Sequence, residues 1–167
     1  LRDIYDAYWA CKSNKMNAAS TVEFDINYRE NLQSLCRDIN KRVYTPSRSI
    51  AFLVYKPRLR EVFAANYRDR IVHHYIDLRL RPLIEAGLIE KTCNNRVGKG
   101  TQAAVNYLNN DIIAVTDGYR KKAYVCKMDM RSFFMSITKS LVRDMSVKLV
   151  KEKYTGDDSD DLIFLLD

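Results

Sequence analysis

Cysteine, glycine and proline are scarce in this sequence, which has 4, 5 and 3 of them among its 167 residues. The cysteines stand far apart, with no C-x-x-C pair and no histidine at zinc-finger spacing, so neither a disulfide framework nor a structural zinc site is predicted. No apolar run approaches the roughly 18 residues of a membrane span, and neither a signal-peptide layout nor an N-x-S/T sequon occurs. These absences favour a cytoplasmic protein with reduced thiols and no membrane partner.

The chain is basic. Lys and Arg number 28 against 21 for Asp and Glu, which gives a net charge of +7 and a pI near 9.2. Such a balance favours polyanionic partners, of which nucleic acid is the commonest. Because the sequence begins with Leu1 instead of methionine and ends just after the apolar stretch 162–166, we expect a piece that is trimmed at both ends.

Hydrophobic periodicity predicts a helix-rich chain with one small hairpin. The spacing of Tyr5, Tyr8 and Trp9 predicts that all three face the core, and Asp25 is a candidate cap for the second helix. Pro82 is expected to kink or end a later helix. The predicted helices are 2–12, 27–42, 67–85, 103–115, 137–150 and one after 161; the hairpin is 49–65, a strand is 123–130, a loop is 92–101 and a polar acidic turn is 154–161.

One segment, 127–137, combines a carboxylate with aromatic residues. Asp129 is predicted to end the strand, where a carboxylate can coordinate a Mg²⁺ ion that bridges the phosphates of a nucleotide. Phe134, five residues later, could lie against the sugar. The alternative is an aspartate that caps a turn beside two core phenylalanines, Phe133 and Phe134.

Three cations surround the predicted tip of the hairpin, namely Lys56, Arg58 and Arg60. Cations fixed on a hairpin can grip a triphosphate, and a guanidinium can do so through two parallel hydrogen bonds. The alternative is a solvated edge whose charges protect it from aggregation.

The predicted loop before the fourth helix joins glycines to cations. Gly98 and Gly100 would let the backbone approach a phosphate chain closely, and Arg96 and Lys99 supply charge. Thr101 begins a helix whose first amides favour anions. The G-x-x-x-x-G-K-[ST] spacing of a P-loop is absent. A flexible surface loop is the alternative.

These segments resemble, in order, the conserved blocks of reverse transcriptases of the group II intron-like and diversity-generating retroelement type. The resemblance covers most of the chain, from about residue 44 to residue 137. The matching segments are Y-x-P at 44–46, a Lys-Pro hairpin at 54–61, D-R-x-V-x-H at 69–74, E-A-G-L at 85–88, R-x-x-K-G-T at 96–101 and the family's motif A at 127–137.

The resemblance implies roles for individual residues. Asp129 matches the first catalytic aspartate and metal ligand, Met130 offers its backbone carbonyl to the same metals, and Phe134 matches the residue that excludes a 2′-hydroxyl. The remaining implied contacts are with the dNTP, through Lys56, Arg58, Arg60 and Phe134, and with nucleic acid, through Arg70, Arg96, Lys99, Gly100 and Thr101.

The implied fold is α+β, a polymerase right hand with helix-rich fingers over 1–122, which include the antiparallel hairpin, and an incomplete palm sheet over 123–167. The implied activity is RNA-directed DNA polymerisation, in which Mg²⁺, or Mn²⁺ in its place, supports attack of a primer 3′-hydroxyl on a dNTP. The implied partners are an RNA template, a DNA or RNA primer, dNTPs and an accessory protein of a retroelement. The protein would be intracellular and encoded by a bacterium or a phage.

The resemblance stops before the family's Gly- and Gln-containing block and its Tyr-x-Asp-Asp hairpin, which carries the other metal carboxylates. Tyr154-Thr155-Gly156-Asp157-Asp158 is not that hairpin, because two residues separate its tyrosine from its first aspartate and no apolar strands flank it. We therefore expect this piece to bind and not to catalyse. The rival function is a non-catalytic RNA-binding scaffold, or a module of a defence or CRISPR-associated complex, derived from a reverse transcriptase.

Overall fold

The computed structural model describes residues 2–13, 19–57 and 59–167 of the protein. Over these residues it contains eight helices and two strands, so the chain is mixed α+β and rich in helix, as predicted. The helices are α1 Arg2–Lys12, α2 Ala19–Ile26, α3 Tyr28–Asn40, α4 Tyr67–Ala86, α5 Thr101–Val115, α6 Phe133–Ser136, α7 Lys139–Lys153 and α8 Ser159–Leu166; the strands are β1 Ile50–Val54 and β2 Arg60–Ala64.

Two compact units make up the structure. The first unit comprises the described residues of Leu1–Leu83 together with Arg143–Asp167, and the second unit is Ile84–Val142. A polymerase right hand, with its boundary between fingers and palm after residue 122, stays a prediction.

The hydrophobic core lies in the first unit. In α1 the buried residues follow the i, i+3, i+4, i+7 spacing of one helix face, and α3 repeats this with a second apolar stripe. The buried apolar side chains are Ile4, Ala7, Tyr8, Cys11, Leu32, Leu35, Ile39, Tyr67, Ile71, Val72, Tyr75, Leu80, Val150 and Leu162. The core therefore joins the first helices of the chain to α4 and to the last two helices.

The prediction that Trp9 faces the core is wrong. Tyr8 is 1% exposed, and Tyr5 packs against the core, but Trp9 is 54% exposed. Successive residues of a helix are about 100° apart. Trp9 therefore lies outside the stripe that Ile4, Tyr8 and Cys11 form.

The prediction that Asp25 caps α3 is wrong. Asp25 lies within α2, a helix that the sequence did not predict. The residue that precedes α3 is Asn27. The Asp25 carboxylate accepts a hydrogen bond from the Tyr8 hydroxyl at 2.6 Å and pairs with the Lys12 ammonium at 2.6 Å. Burial alone would raise the pKa of Asp25, but these two donors hold it below its usual value. Asp25 thus ties α1 to α2, and each of its carboxylate oxygens has a partner in α1.

The hairpin is confirmed. β1 and β2 pair antiparallel, with Phe52 opposite Val62 and Val54 opposite Arg60. Most of its side chains are exposed. Because a two-stranded sheet alone is only marginally stable in water, the position of this hairpin depends on what holds its ends.

α4 is the longest helix, and Pro82 lies inside it without ending it, contrary to one of the two predicted effects. A proline removes one hydrogen bond from the helical ladder, and four more residues follow before the helix stops at Ala86, next to Gly87. Among residues 2–13, 19–57 and 59–167, none of the helices combines the length and the apolar character needed to cross a membrane.

The predicted strand at 123–130 is wrong, and with it the incomplete palm sheet is not seen in the described part of the chain. Alternating side chains favour a strand, but a strand also needs a neighbour for its backbone N–H and C=O groups. Within the described residues the one sheet is the hairpin, whose strands pair with each other. Both faces of 123–130 are open, since Tyr124 is 95% and Val125 71% exposed.

The acidic turn before α8 lies between helices and not between strands, as predicted, but it is not fully exposed. Its Asp158 carboxylate accepts hydrogen bonds from the hydroxyls of Tyr75 at 2.6 Å and Tyr154 at 2.5 Å, and it pairs with the Arg79 guanidinium. A Cβ on Gly156 would lie 2.6 Å from Cζ of Tyr154. Glycine at this position therefore lets the Tyr154 ring reach Asp158.

Asp158→Asn should destabilise the protein by about 2 kcal/mol, because hydrogen bonds to a charged acceptor contribute roughly 1.5–3 kcal/mol. Burial alone would raise the pKa of Asp158, but the donors from Tyr154, Tyr75 and Arg79 hold it below its ordinary 3.8. A lowered pKa gives stability that is present above the unfolded value and lost as the pH falls through the folded value. Urea unfolding should therefore show a difference from wild type at pH 7 that vanishes in strong acid.

The matched control is Asp160→Asn, which removes the same charge from an exposed position in the first turn of α8. Its effect should stay below about 1 kcal/mol, the size of a helix-dipole contribution. Equal losses of stability in the two variants would contradict the role given to Asp158.

Candidate functional site

The hairpin presents two of the predicted dNTP-binding cations. Lys56 follows β1 at the tip and Arg60 begins β2, and both are exposed. Neither forms an ion pair with a described residue. The third, Arg58, lies outside the described residues. Lys56 and Arg60 are therefore charges that solvent can reach and that an anionic ligand can reach as well.

A shallow cleft of about 510 Å³ gathers the predicted nucleic-acid-binding residues of the second unit. Arg96, Lys99, Gly100 and Thr101 all contribute to it. Gly98 has φ +74°, in the left-handed region that glycine adopts at little cost. Gly100 has an ordinary φ of −83° and precedes α5 without a side-chain cap. The complete lining is Cys93, Asn94, Asn95, Arg96, Lys99, Gly100, Thr101 and Ala104.

Lys99 is already engaged with a carboxylate. Its ammonium lies 2.6 Å from Oε1 of Glu90, to which the Tyr107 hydroxyl also donates at 3.0 Å. The bonds from Lys99 and Tyr107 lower the pKa of Glu90, and the bond to Glu90 raises the pKa of Lys99. An anionic ligand at Lys99 must therefore compete with Glu90 or share the ammonium with it.

Arg96 holds the turn that precedes the loop. Its Nη1 donates to the carbonyl oxygens of Ile89 at 3.1 Å and Thr92 at 3.3 Å. Nε and Nη2 are not used in these two bonds and can serve another acceptor. Arg96 thus has a structural role beside the binding role that the sequence predicts for it.

The residues around Asp129 are open to solvent. Asp129 is exposed, Met130 is 68% and Phe134 87% exposed. Ser132 adopts a left-handed φ of 53° just before α6, and the rings of Phe133 and Phe134 pack edge to face with centroids 5.4 Å apart. The alternative in which both phenylalanines belong to a core is wrong, because Phe133 is also 43% exposed.

The chemistry of Asp129 and Met130 suits magnesium only in part. A carboxylate and a backbone carbonyl are oxygen ligands of the kind that Mg²⁺ prefers. Among the described residues, however, no group of three or more His, Cys, Asp or Glu side chains is placed to hold a metal ion. These residues do not form a complete magnesium site by themselves.

The last predicted contact, Arg70, is half-buried in α4. Its neighbour Asp69 is 2% exposed and accepts hydrogen bonds from the Tyr44 hydroxyl at 2.7 Å and the Ser47 backbone N–H at 2.9 Å. Sequence reasoning gave Asp69 no role. Its partner Tyr44 lies 25 residues earlier in the chain, beyond the hairpin, so only the position of Asp69 at the start of a helix was visible in the sequence.

The predicted residues fall into both units. Lys56, Arg60 and Arg70 belong to the first unit, and the residues of the cleft belong to the second, together with Asp129, Met130 and Phe134. Sequence reasoning missed Glu90, which pairs with the Lys99 ammonium, and Tyr107, which donates a hydrogen bond to Glu90. No local pattern announces them, because they lie 9 residues before Lys99 and in the next helix.

No protein-family model matches the chain, and a comparison with curated proteins finds no match either.

Proposed function

We propose that this chain is the fingers and the first part of the palm of a reverse transcriptase. The observation that carries the proposal is the series of matching segments, in the family's order, between residues 44 and 137. The exposed cations of the hairpin and the exposed Asp129 support it, since both can be reached by a nucleotide. In the proposed cytoplasmic enzyme, the partners are an RNA template, a DNA or RNA primer and dNTPs, with an accessory protein of the retroelement.

In this proposal the hairpin binds the triphosphate of a dNTP. Lys56 supplies a compact charge, and Arg60 supplies a planar fork that can pair with two phosphate oxygens. Their exposure and lack of ion pairs with described residues support the role, because no carboxylate has to be displaced first. Arg58 is assigned to the same contact by its place in the motif.

Asp129 and Met130 contribute oxygen ligands to the proposed metal position, and Phe134 lies beside the sugar. Magnesium, or manganese in its place, supplies charge that stabilises the attacking and leaving oxygens when it is bound. Further carboxylates are needed to complete such a site, so the residues of this chain bind and orient while catalysis depends on others.

The second candidate function is a non-catalytic RNA-binding module, and the cleft beside α5 favours it. Its lining includes the cations Arg96 and Lys99 and the glycine Gly100. It also includes the first residue of the 15-residue α5, whose start has no side-chain cap. Such a surface suits phosphate groups whatever the base sequence. Binding of this kind does not need Asp129 or Phe134.

Replacing both hairpin cations, Lys56→Ala with Arg60→Ala, should weaken dNTP binding about tenfold or more, because charge-assisted contacts with phosphate are lost. Titration of a fluorescent dNTP in the presence of Mg²⁺ measures the effect. The control, Lys148→Ala with Lys151→Ala, removes two exposed charges from α7 and should leave the affinity unchanged. Equal weakening in both double variants would mean that only net charge matters.

In a polymerase that contains this chain, Asp129→Ala should reduce primer extension on RNA about a thousandfold, because metal assistance is worth several kcal/mol. Phe134→Ala should retain extension but incorporate ribonucleotides more readily. Asp157→Ala is the control: it removes an exposed carboxylate from the rejected Tyr-Thr-Gly-Asp-Asp segment and should act like wild type. Extension by Asp129→Ala at the wild-type rate would refute the polymerase assignment.

Glu90→Gln should strengthen RNA binding, because it removes the carboxylate that neutralises Lys99. In a salt titration with a labelled single-stranded RNA, the log-log slope should steepen by about 0.7 if one more phosphate is neutralised. Adding Lys99→Ala to Glu90→Gln should return the slope to its wild-type value. Glu152→Gln gives the same change of charge on α7 and should leave the slope unaltered. If neither change at Glu90 nor at Lys99 alters the slope, the phosphate path lies elsewhere.

A further inference from the structure

Asp69 is a buried carboxylate whose partners belong to the segment that leads into the hairpin. It is 2% exposed, and its two oxygens accept one hydrogen bond each, from the Tyr44 hydroxyl at 2.7 Å and from the Ser47 backbone N–H at 2.9 Å. No cation pairs with it among the described residues. A buried carboxylate that loses a donor is costly, so these two bonds fix the segment to the first turn of α4.

Tyr44 is held by other groups as well. The Arg68 guanidinium lies over its ring, 5.0 Å from the centroid, and also pairs with the Asp38 carboxylate at 2.6 Å. The backbone N–H of Tyr44 donates to the Asp38 carbonyl oxygen at 3.1 Å. Burial and the bond to Asp69 raise the pKa of Tyr44, so the hydroxyl stays a donor at neutral pH. Two adjacent residues of α4 therefore contact Tyr44: Arg68 at its ring and Asp69 at its hydroxyl.

These contacts lie midway between two elements. α3 ends at Asn40 and β1 begins at Ile50, so Tyr44 and Ser47 are the attachment points of the connecting segment. The strands themselves bury little: Ile50 is 67% and Phe63 58% exposed. Packing of the strands can therefore contribute little to their position, and the polar attachment contributes more.

We propose that Asp69 is a positioning residue that fixes the hairpin by holding Tyr44 and Ser47, and thereby presents Lys56 and Arg60 to the triphosphate. The nucleotide part of this inference rests on the proposed function. The hold on the hairpin stands on geometry alone. In Asp69→Asn the amide oxygen can still accept one of the two bonds, but the amide NH₂ then faces the other donor, so one attachment is lost.

The test compares backbone hydrogen exchange of wild type with Asp69→Asn. Amides of β1 and β2 should exchange about tenfold faster in the variant, as expected for the loss of a hydrogen bond to a charged group, while α1 and α3 keep their rates. A merely structural role would accelerate α1 and α3 as well. The control is Asp77→Asn, the same change at a half-buried position of α4 that pairs with Arg81, and it should leave the hairpin unchanged.

Tyr44→Phe covers the case in which Asp69→Asn does not fold. It keeps the ring beneath Arg68 and removes only the hydroxyl bond, so it should accelerate exchange in the hairpin in the same direction. Unchanged hairpin exchange in the folded variants, or equal acceleration in α1 and α3, would overturn the inference.

Titration with a fluorescent dNTP and Mg²⁺ separates this inference from the proposed function. We expect Asp69→Asn to lower the affinity severalfold, toward the value for the variant that lacks Lys56 and Arg60. If wild type binds no dNTP, the proposed function and the nucleotide part fail, whereas faster exchange confined to the hairpin still supports the positioning role. If wild type binds and Asp69→Asn binds equally well, presentation of the cations by Asp69 is refuted.

Discussion

Hydrogen bonds from tyrosine hydroxyls to buried or partly buried aspartates join distant segments of the first unit. Each carboxylate has left part of its hydration shell, so it requires donors in fixed positions and constrains both of the segments that meet there. The three bonds join residues 17, 25 and 83 positions apart in the chain. The pairs are Tyr8 with Asp25, Tyr44 with Asp69 and Tyr75 with Asp158. Two of them meet on α4, which makes this helix the element to which both the hairpin segment and the turn before α8 are attached.

The second unit is organised differently, because Thr116 is its one buried residue, all of its residues being described. Its order comes from local bonds, such as those of Arg96 to the turn at Ile89 and of Lys99 to Glu90. Regions with few buried apolar contacts open at low free energy, and binding loops are commonly drawn from them. The cleft beside α5 therefore lies in a region where local rearrangement costs little free energy.

Periodicity was sufficient for the helices that bury one clear stripe and for the hairpin, because those signals are local. It failed at 123–130, where alternation was present but the partner strand was not among the described residues. It also failed at Trp9, whose i, i+4 spacing from Tyr5 was taken to place it on the buried face. The partners of Asp25 and Asp158 could not be predicted, since hydrogen bonds between distant segments leave no periodic trace. The sequence pattern placed the cations at the hairpin tip and in the loop, and the resemblance implied their roles, but neither indicated that Glu90 already pairs with Lys99.

Whether a cation already pairs with a carboxylate decides how much it can contribute to binding. When a phosphate binds Lys99, the ammonium exchanges the Glu90 carboxylate for the phosphate. The net gain in binding free energy is then only the difference between two similar interactions. Lys56 and Arg60 start from water, and a phosphate there neutralises charge that has no counterion among the described residues. Exposed pairs gain little from charge alone, so the hairpin cations become effective only if they are held in one geometry when the ligand arrives. In our proposal, the attachment of the hairpin segment through Asp69 supplies that condition, because cations held in place lose less conformational entropy on binding.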